Sequence, residues 1–279
     1  MQDRATDDRT PVTPDAPGLL VCEMVEPGVA RLTMNRGPAR NALSLDLIAA
    51  LHDAVTRLGS DGAVKAIVLA GSGPAFCAGH DLKEMTAHRG DADAGRDFYQ
   101  STMTRCAALM QAIIACPKPV IAAVHGIATA AGCQLVATCD LAVAAEDSRF
   151  ATPGVNIGLF CSTPMVALAR NVPRKRAMEM LLLGEMLSAK EAVDFGLVNR
   201  VVPAGDVMST AIGLARAIAS KSPATVAVGK EAFYRQIEQP LAEAYAYAAD
   251  VMVRNMMYQD AAEGIGAFID KRKPDWKGC

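Results

Sequence analysis

The spacing of hydrophobic and polar positions changes several times along the chain, and these changes predict its strands and helices. Residues 19–35 form two strand-like runs around the turn sequence EPG, which predicts a β-hairpin. Ile48, Leu51 and Val55 then recur at intervals of three and four, which predicts a helix capped by Ser44. The short, branched runs KAIVLAG and KPVIAAVHG are typical of buried strands.

The later pattern predicts further alternation, followed by a block of helices. Residues 96–116 should form a long helix and residues 140–147 a strand, whereas almost everything after residue 206 reads as helix. Alternating strands and helices imply an α/β core with covered sheets. The predicted organisation is a flexible N-terminal arm (1–18), an α/β core (19–205) and a C-terminal helical domain (206–279).

Composition excludes several classes of function. The chain has 279 residues, of which 51% are hydrophobic, so it can bury the core of one large domain. Its 28 basic and 30 acidic residues give a formal charge of −2, which argues against a nucleic-acid surface. The longest apolar runs are too short to span a bilayer, so we expect no membrane association.

The eight cysteines do not form a recognisable metal or redox motif. There is no C-x-x-C pair and no His/Cys cluster with zinc spacing, so we expect no metal site. The first 18 residues are polar and acidic, unlike a secretory or transit peptide. We therefore expect reduced, mostly buried cysteines and a cytoplasmic location.

Two segments repeat the order strand, small-residue loop, helix: IVLAGSGPAFCAGHDLKEM and VIAAVHGIATAAGCQLVA. The first amides of a helix lack intrahelical acceptors and carry partial positive charge. Two such helix starts that face each other could bind the oxygen of a thioester as an enolate or tetrahedral oxyanion forms. Glycine motifs of dinucleotide sites, P-loops and nucleophile elbows are absent from the sequence.

Several motifs together are more specific than either loop alone. FCAGHDLKEM is followed by GIATAAGCQLVATCD and FATPGVNIGL, with RLTMNRGPARNALS near the start and FIDKRKP near the end. This order resembles the enoyl-CoA hydratase/isomerase, or crotonase, superfamily over nearly the whole chain after residue 18. The sequence looks most similar to the subgroup called enoyl-CoA hydratase domain-containing protein three.

The resemblance implies a spiral of ββα units with C-terminal helices that build a homotrimer, often paired into a hexamer. It implies an acyl-CoA ligand from fatty-acid metabolism, with coenzyme A as part of the substrate and no separate cofactor. The oxyanion amides would be those of His80 and Ala131. Further positions expected to contact substrate or coenzyme A are Arg40, Ala78, Asp81, Lys83, Cys161, Phe268 and Lys271. Asp81 and Cys161 also have structural alternatives, as a helix cap and as a buried thiol.

Hydratases of this family use two glutamates, and both matching positions differ here. Gln134 and Gly154 stand in their places. Neither side chain exchanges a proton near neutral pH. Each positioned acid or base typically contributes about 10²–10⁴-fold, so two losses would cost roughly 5–11 kcal/mol of transition-state stabilisation if additive. Efficient two-glutamate hydration is therefore not expected, and the sequence alone suggests that restoring both glutamates would raise it.

Three functions remain open at this stage. The chain could be a crotonase-type lyase or isomerase, or a protein that binds acyl-CoA without turning it over. It could also be a decarboxylase or thioester-cleaving variant that uses His80, since AGHD resembles the methylmalonyl-CoA decarboxylase branch. The tyrosine expected near VNIG in that branch is missing, and Cys161 lies about there.

Overall fold

The computed structural model describes residues 18–279, so the predicted N-terminal arm lies outside the described residues except for Gly18. The strands are β1 (Leu20–Glu26), β2 (Val29–Met34), β3 (Ala66–Gly71), β4 (Val120–Val124), β5 (Ile127–Thr129), β6 (Leu141–Ala145), β7 (Arg149–Ala151), β8 (Leu187–Ser188) and β9 (Arg200–Val202). The helices are α1 (Leu45–Ser60), α2 (Leu82–Ala87), α3 (Arg96–Ala115), α4 (Ala131–Thr138), α5 (Ser162–Asn171), α6 (Arg174–Leu183), α7 (Ala189–Asp194), α8 (Val207–Ala219), α9 (Pro223–Gln236), α10 (Leu241–Met256) and α11 (Gln259–Ile269).

Local sequence signals determine several of these boundaries. The amide of Leu47 donates to the Ser44 hydroxyl at 3.3 Å, which caps α1 as predicted. Pro223 is the first residue of α9, and Pro240 directly precedes α10. Proline is favoured at the first position of a helix because its missing N–H would have no intrahelical partner there.

The main sheet has six strands in the order β1-β2-β3-β4-β6-β9. The β1–β2 hairpin is antiparallel, as predicted, and every other neighbouring pair is parallel. The strands β3, β4 and β6 are almost fully buried, which explains their continuous apolar runs. Their carboxyl ends lie at one edge of the sheet, and the loops from β3 and β4 therefore begin side by side.

A second sheet of three short strands, β5-β7-β8, was not predicted. Its strands have only two or three residues each, too few to show a period. This sheet fixes the start of α4, because β5 runs directly into that helix. The amide of Ala130 donates to the carbonyl of Ala151 at the end of β7, at 2.9 Å.

Helix α8 covers one face of the main sheet. Val207, Ala211 and Ala215 are buried on its inner side, against a cluster that includes Val68 and Ile121 from the sheet. The other face packs on the larger core, which includes α1, α3 and α4. One covering layer of the sheet therefore comes from beyond residue 205, the end predicted for the core.

A buried ion pair attaches α9 to the sheet. The ammonium of Lys230 donates to Asp140 at 2.7 Å and to the carbonyls of Ile113 and Lys118 at 2.9 and 3.2 Å. The hydroxyl of Tyr234 donates to the second Asp140 oxygen at 3.0 Å. All three ammonium protons thus have acceptors, as a buried charge requires.

Between residues 18 and 279, no helix is long and apolar enough to cross a membrane. The same residues contain no group of three or more His, Cys, Asp or Glu side chains placed to hold a metal ion.

Candidate acyl-thioester site

The two small-residue loops lie in contact. The loop after β3 pairs with β5 through a bridge between Cys77 and Ala128, and the amide of Thr129 donates to the Cys77 carbonyl at 3.0 Å. Gly79 has a φ of +93°, and a Cβ built on it would lie 2.9 Å from the Cβ of Ala130. The same point is 3.5 Å from the amide nitrogen of Ala131. Glycine is therefore required where the loops approach each other.

The amides of His80 and Ala131 are free at this junction. Around His80, the amide of Leu43 donates to Gly79 at 2.7 Å and that of Asp81 donates to Leu43 at 3.0 Å, so the bridge bypasses the His80 N–H. Ala131 is the first residue of α4, where an amide has no acceptor within the helix. Neither N–H donates to a protein group among residues 18–279. Both N–H groups therefore lack a protein acceptor at this junction.

Backbone strain marks the start of α4. Ala130 has φ +50° and ψ −118°, a conformation that non-glycine residues rarely adopt. Such a residue costs of order 1–3 kcal/mol and persists only where its surroundings hold it. Here the hydrogen bond to Ala151 and the contact with Gly79 hold it. Helix α4 therefore begins abruptly at Ala131, directly after the strained Ala130.

Gln134 lies one turn into α4 and is only 4% exposed. Its amide donates to the Ala130 carbonyl at 3.0 Å, and its own carbonyl accepts from the Thr138 hydroxyl at 2.7 Å. Its side-chain Oε1 is buried and has no hydrogen-bond partner in the described chain. The oxygen of this side chain is therefore not satisfied by its own loop.

His80 is partly buried. Its Nε2 is buried and accepts or donates no hydrogen bond among the described residues. Burial lowers the pKa of His80 from 6.5 to about 4, because the imidazolium loses hydration without gaining a partner. The side chain is neutral at neutral pH and can offer either a donor or an acceptor at Nε2, depending on its tautomer.

No space exists at position 154 for a second carboxylate. A Cβ on Gly154 would lie 2.7 Å from the carbonyl oxygen of Leu159 and 2.9 Å from the sulfur of Cys161. The loop folds back here because the amide of Leu159 donates to the Gly154 carbonyl at 2.9 Å. A glutamate at this position would therefore require the loop to move, because the Leu159 backbone and the Cys161 thiol occupy its space.

The Cys161 side chain occupies the space beside Gly154. It is buried at the start of α5, and burial raises the pKa of its thiol although the Gly154 amide opposes the shift. A thiol held in its neutral form is a poor nucleophile. The structural alternative for Cys161 thus accounts for its position.

Asp81 is engaged by the protein itself. Its carboxylate accepts from the Lys83 and Glu84 amides at 3.1 and 3.3 Å, which caps α2, and pairs with Arg36 at 2.9 Å. Burial raises the pKa of this carboxyl, but the bonds from Arg36 and the α2 amides outweigh it and hold the pKa below its usual value. Of its two sequence-based roles, the structure gives Asp81 that of the cap.

A backbone hydrogen bond joins two other predicted contacts, Arg40 and Ala78 of the β3–α2 loop, whereas Lys83 lies in the first turn of α2. Arg40 and Lys83 are exposed, and the Ala78 amide donates to the Arg40 carbonyl at 3.0 Å. Asn41, which the sequence did not single out, fixes this loop: its side chain donates to the carbonyls of Ser72 and Ala75, both at 2.8 Å. Asn41 and Arg40 both have positive φ.

The structure does not bring Phe268 and Lys271 to this site within one chain. Both lie at the end of α11, which packs on α9 and α10. Phe268 is 85% exposed and Lys271 is exposed too. A contact with coenzyme A would therefore have to come from a second copy of the chain.

A cavity of about 500 Å³ adjoins α4 and was not predicted from the sequence. Its walls come from α3, α4, α5 and α9, four helices that are distant along the chain. Gln134, Ala137 and Thr138 line the cavity from α4. Most of the cavity surface is apolar, and Met110 and Phe233 contribute to it. Of the α4 residues in the wall, Gln134 is nearest to Ala131.

Comparison with known proteins identifies the family of this chain. The family model described as enoyl-CoA hydratase/isomerase matches residues 25–279. The chain belongs to the enoyl-CoA hydratase/isomerase family. The resemblance drawn from the sequence motifs is thereby confirmed, and so is the α/β crotonase fold.

Individual relatives agree with this assignment. A crystal structure of enoyl-CoA hydratase from Mycobacterium smegmatis is 53% identical, with a TM-score of 0.88, over 93% of this chain and 99% of that one. The human enoyl coenzyme A hydratase domain-containing protein 3 is 45% identical, also with a TM-score of 0.88, over 93% and 100%. Its counterpart from Rattus norvegicus, named mitochondrial, is 45% identical over 95% of this chain and 87% of its own length. The predicted similarity to this subgroup is confirmed.

The expectation of a cytoplasmic location is contradicted. The Rattus norvegicus relative and its counterparts from four other vertebrates are all named mitochondrial proteins. The error has a physical reason, because reduced, buried cysteines suit any reducing compartment and so do not distinguish between such compartments.

Proposed function

We propose that this protein binds acyl-CoA thioesters, with the thioester oxygen between the amides of His80 and Ala131. The supporting observation is that these two N–H groups are free where their loops meet, beside a cavity that begins one turn along α4. Amide donors suit an oxygen that gains negative charge. The apolar cavity suits the alkyl chain, because burying each methylene group contributes roughly 0.8 kcal/mol.

The coenzyme A end of the ligand would lie along the outer side of the β3–α2 loop. Arg40 and Lys83 are both exposed, and lysine and arginine both bind phosphate groups. Coenzyme A would be part of the substrate, and we propose no further cofactor.

We also propose that the chain assembles as a homotrimer, or as a hexamer made of two trimers. The C-terminal helices expose large apolar side chains, among them Leu241, Tyr245, Met257 and Phe268 at 75%, 72%, 81% and 85%. Exposed apolar area of this extent is typical of an interface between subunits. Assembly would also let Phe268 and Lys271 reach a neighbouring subunit's ligand.

Hydration by two carboxylates is not the reaction we propose. Gln134 has no proton to exchange, and the second carboxylate position is filled by Leu159 and Cys161. The protein is therefore an acyl-CoA-binding member of a lyase and isomerase family in fatty-acid metabolism, with at most slow enoyl-CoA hydration.

A second candidate reaction is decarboxylation or thioester cleavage that uses His80. The observation that favours it is the buried, unpartnered Nε2 beside the free amides. Decarboxylation needs an enolate stabilised by those amides and a later proton, and it needs no carboxylate base. Release of CO₂ from methylmalonyl-CoA by the wild type, and its loss in His80→Ala, would support this candidate.

The binding proposal is tested by thermal unfolding with octanoyl-CoA, acetyl-CoA and free coenzyme A. A ligand at 100 times its Kd stabilises the folded state by about 2.7 kcal/mol. Octanoyl-CoA should raise Tm most. In Ala107→Phe, which places a ring in the cavity from its α3 wall, the advantage of octanoyl-CoA over acetyl-CoA should disappear. The absence of any shift with all three ligands would contradict the proposal.

A further inference from the structure

Two hydrogen bonds fix the peptide groups on either side of the His80 α-carbon. The amide of Leu43 donates to the Gly79 carbonyl at 2.7 Å, and the amide of Asp81 donates to the Leu43 carbonyl at 3.0 Å. The Gly79 carbonyl and the His80 N–H belong to one planar trans peptide group, in which they point in opposite directions. Holding this carbonyl toward Leu43 therefore aims the His80 N–H away from residues 36–43.

The Arg36 guanidinium spans this bridge between the two segments. One terminal nitrogen donates to the carbonyl of Ala42, the residue that precedes Leu43. The other terminal nitrogen donates to the carboxylate of Asp81, the residue that follows His80, at 2.9 Å. Because a guanidinium is planar and presents its donors in a fixed geometry, it holds two acceptors at a set separation. Arg36 thus keeps the two segments in register where they meet.

Both ends of this contact are themselves held in place. The amide of Arg36 donates to Oδ1 of Asn41 at 2.9 Å, and the Arg36 carbonyl accepts from the Asn41 amide at 3.0 Å. At the other end, the Asp81 carboxylate caps α2 by accepting from the amides of Lys83 and Glu84. The side chains of Arg36 and Asp81 are only 23% and 14% exposed, so solvent and salt screen their attraction less than that of a surface pair.

The Arg36 guanidinium therefore braces the part of the backbone that carries the His80 N–H. We propose that Arg36 is a positioning residue, which holds this N–H in the direction required to bind the thioester oxygen; this inference rests on the proposed function. Preorganised donors stabilise developing negative charge because they need not reorient as the charge forms. Loss of Arg36 should weaken polarisation of the thioester carbonyl, whereas the coenzyme A and alkyl parts of the ligand should still bind.

Isotope-edited infrared spectroscopy measures this polarisation at the carbonyl itself. The probe is octanoyl-CoA labelled with ¹³C at the thioester carbon, with protein in excess, so that a change in affinity does not move the band. Hydrogen bonds to the oxygen weaken the C=O bond, so the wild type should shift the carbonyl band below the frequency of the free ligand. In Arg36→Met this shift should fall to about half, because one of the two amide donors is no longer held in place.

Two further variants separate positioning from a general loss of stability. Arg36→Lys keeps the positive charge but cannot hold two acceptors as a planar guanidinium does, so its shift should lie between those of the wild type and Arg36→Met. Asp81→Asn keeps an acceptor that caps α2 and removes the carboxylate that Arg36 binds, so its shift should also fall. Asp81→Asn gives an independent test should Arg36→Met not fold.

Arg31→Met is the matched control, since it makes the same change at an arginine of β2 whose guanidinium pairs with Glu23 at 2.6 Å. Its shift should equal that of the wild type. An equal loss of shift in Arg31→Met, or an undiminished shift in both Arg36→Met and Asp81→Asn, would overturn the inference and leave the proposed function intact. If octanoyl-CoA does not bind the wild type, or binds with its carbonyl band at the frequency of the free ligand, the proposed function fails and the inference fails with it.

Discussion

A glutamate at position 154 should fail to restore hydratase chemistry, because the structure leaves no space for any side chain there. The first carbon of such a side chain would lie 2.7 Å from the Leu159 carbonyl oxygen and 2.9 Å from the Cys161 sulfur. Real Cβ atoms do not approach backbone oxygen so closely, so the loop would have to move. Overpacking of this kind typically costs about 1–3 kcal/mol. At roughly 2–4 °C per kcal/mol for a domain of this size, Gly154→Ala should lower Tm by about 2–12 °C.

The assay pairs thermal unfolding with crotonyl-CoA hydration. Gly205→Ala is the control, because a Cβ there meets no atom within 4 Å, so it reports the effect of the substitution without a clash. Gln134→Glu adds one ionisable group and should raise the hydration rate, whereas adding Gly154→Glu should give no further increase and should destabilise the protein. A doubly substituted protein that is as stable as the wild type and hydrates crotonyl-CoA faster than Gln134→Glu alone would refute this reasoning.

Three other predictions follow from buried groups. The unfolded state binds a proton at His80 below about pH 6.5 and the folded state only near pH 4, so the free energy of unfolding should fall as pH drops through this window. Urea titrations at several pH values should show a shallower fall for His80→Asn than for the wild type. Parallel pH profiles of the two proteins would contradict the burial of the imidazole. Lys230→Met should lower the free energy of unfolding by roughly 3–5 kcal/mol, because it leaves the Asp140 charge buried without its cation; further substitution of Asp140→Asn should recover part of this loss, and an unchanged unfolding midpoint for the single variant would argue against the ion pair. Only Cys22 and Cys279 are exposed among the eight cysteines, so a thiol reagent should label two groups rapidly and the other six only on unfolding; rapid labelling of more than two would show that a core thiol is accessible.

The sequence alone determined the class of fold and the location of the two key loops. Apolar runs of five to seven residues specified the buried strands, a periodic apolar face specified α1, and prolines marked where α9 and α10 begin. The motifs in and around the two loops resembled those of a known family, and this resemblance showed that Gln134 and Gly154 stand where the family has two glutamates. These features are local, so a linear chain can display them.

Only the tertiary structure decided the shape of the site and the hydrogen-bonding partners of its residues. The cavity needs four helices that are far apart along the chain, and the small sheet that fixes α4 has strands too short to show a period. That Leu159 and Cys161 fill the space beside Gly154, and that the Gln134 oxygen has no partner, depends on how distant segments pack. A sequence names the residue at each position, but the volume and hydrogen-bonding partners around that residue exist only after the chain has folded.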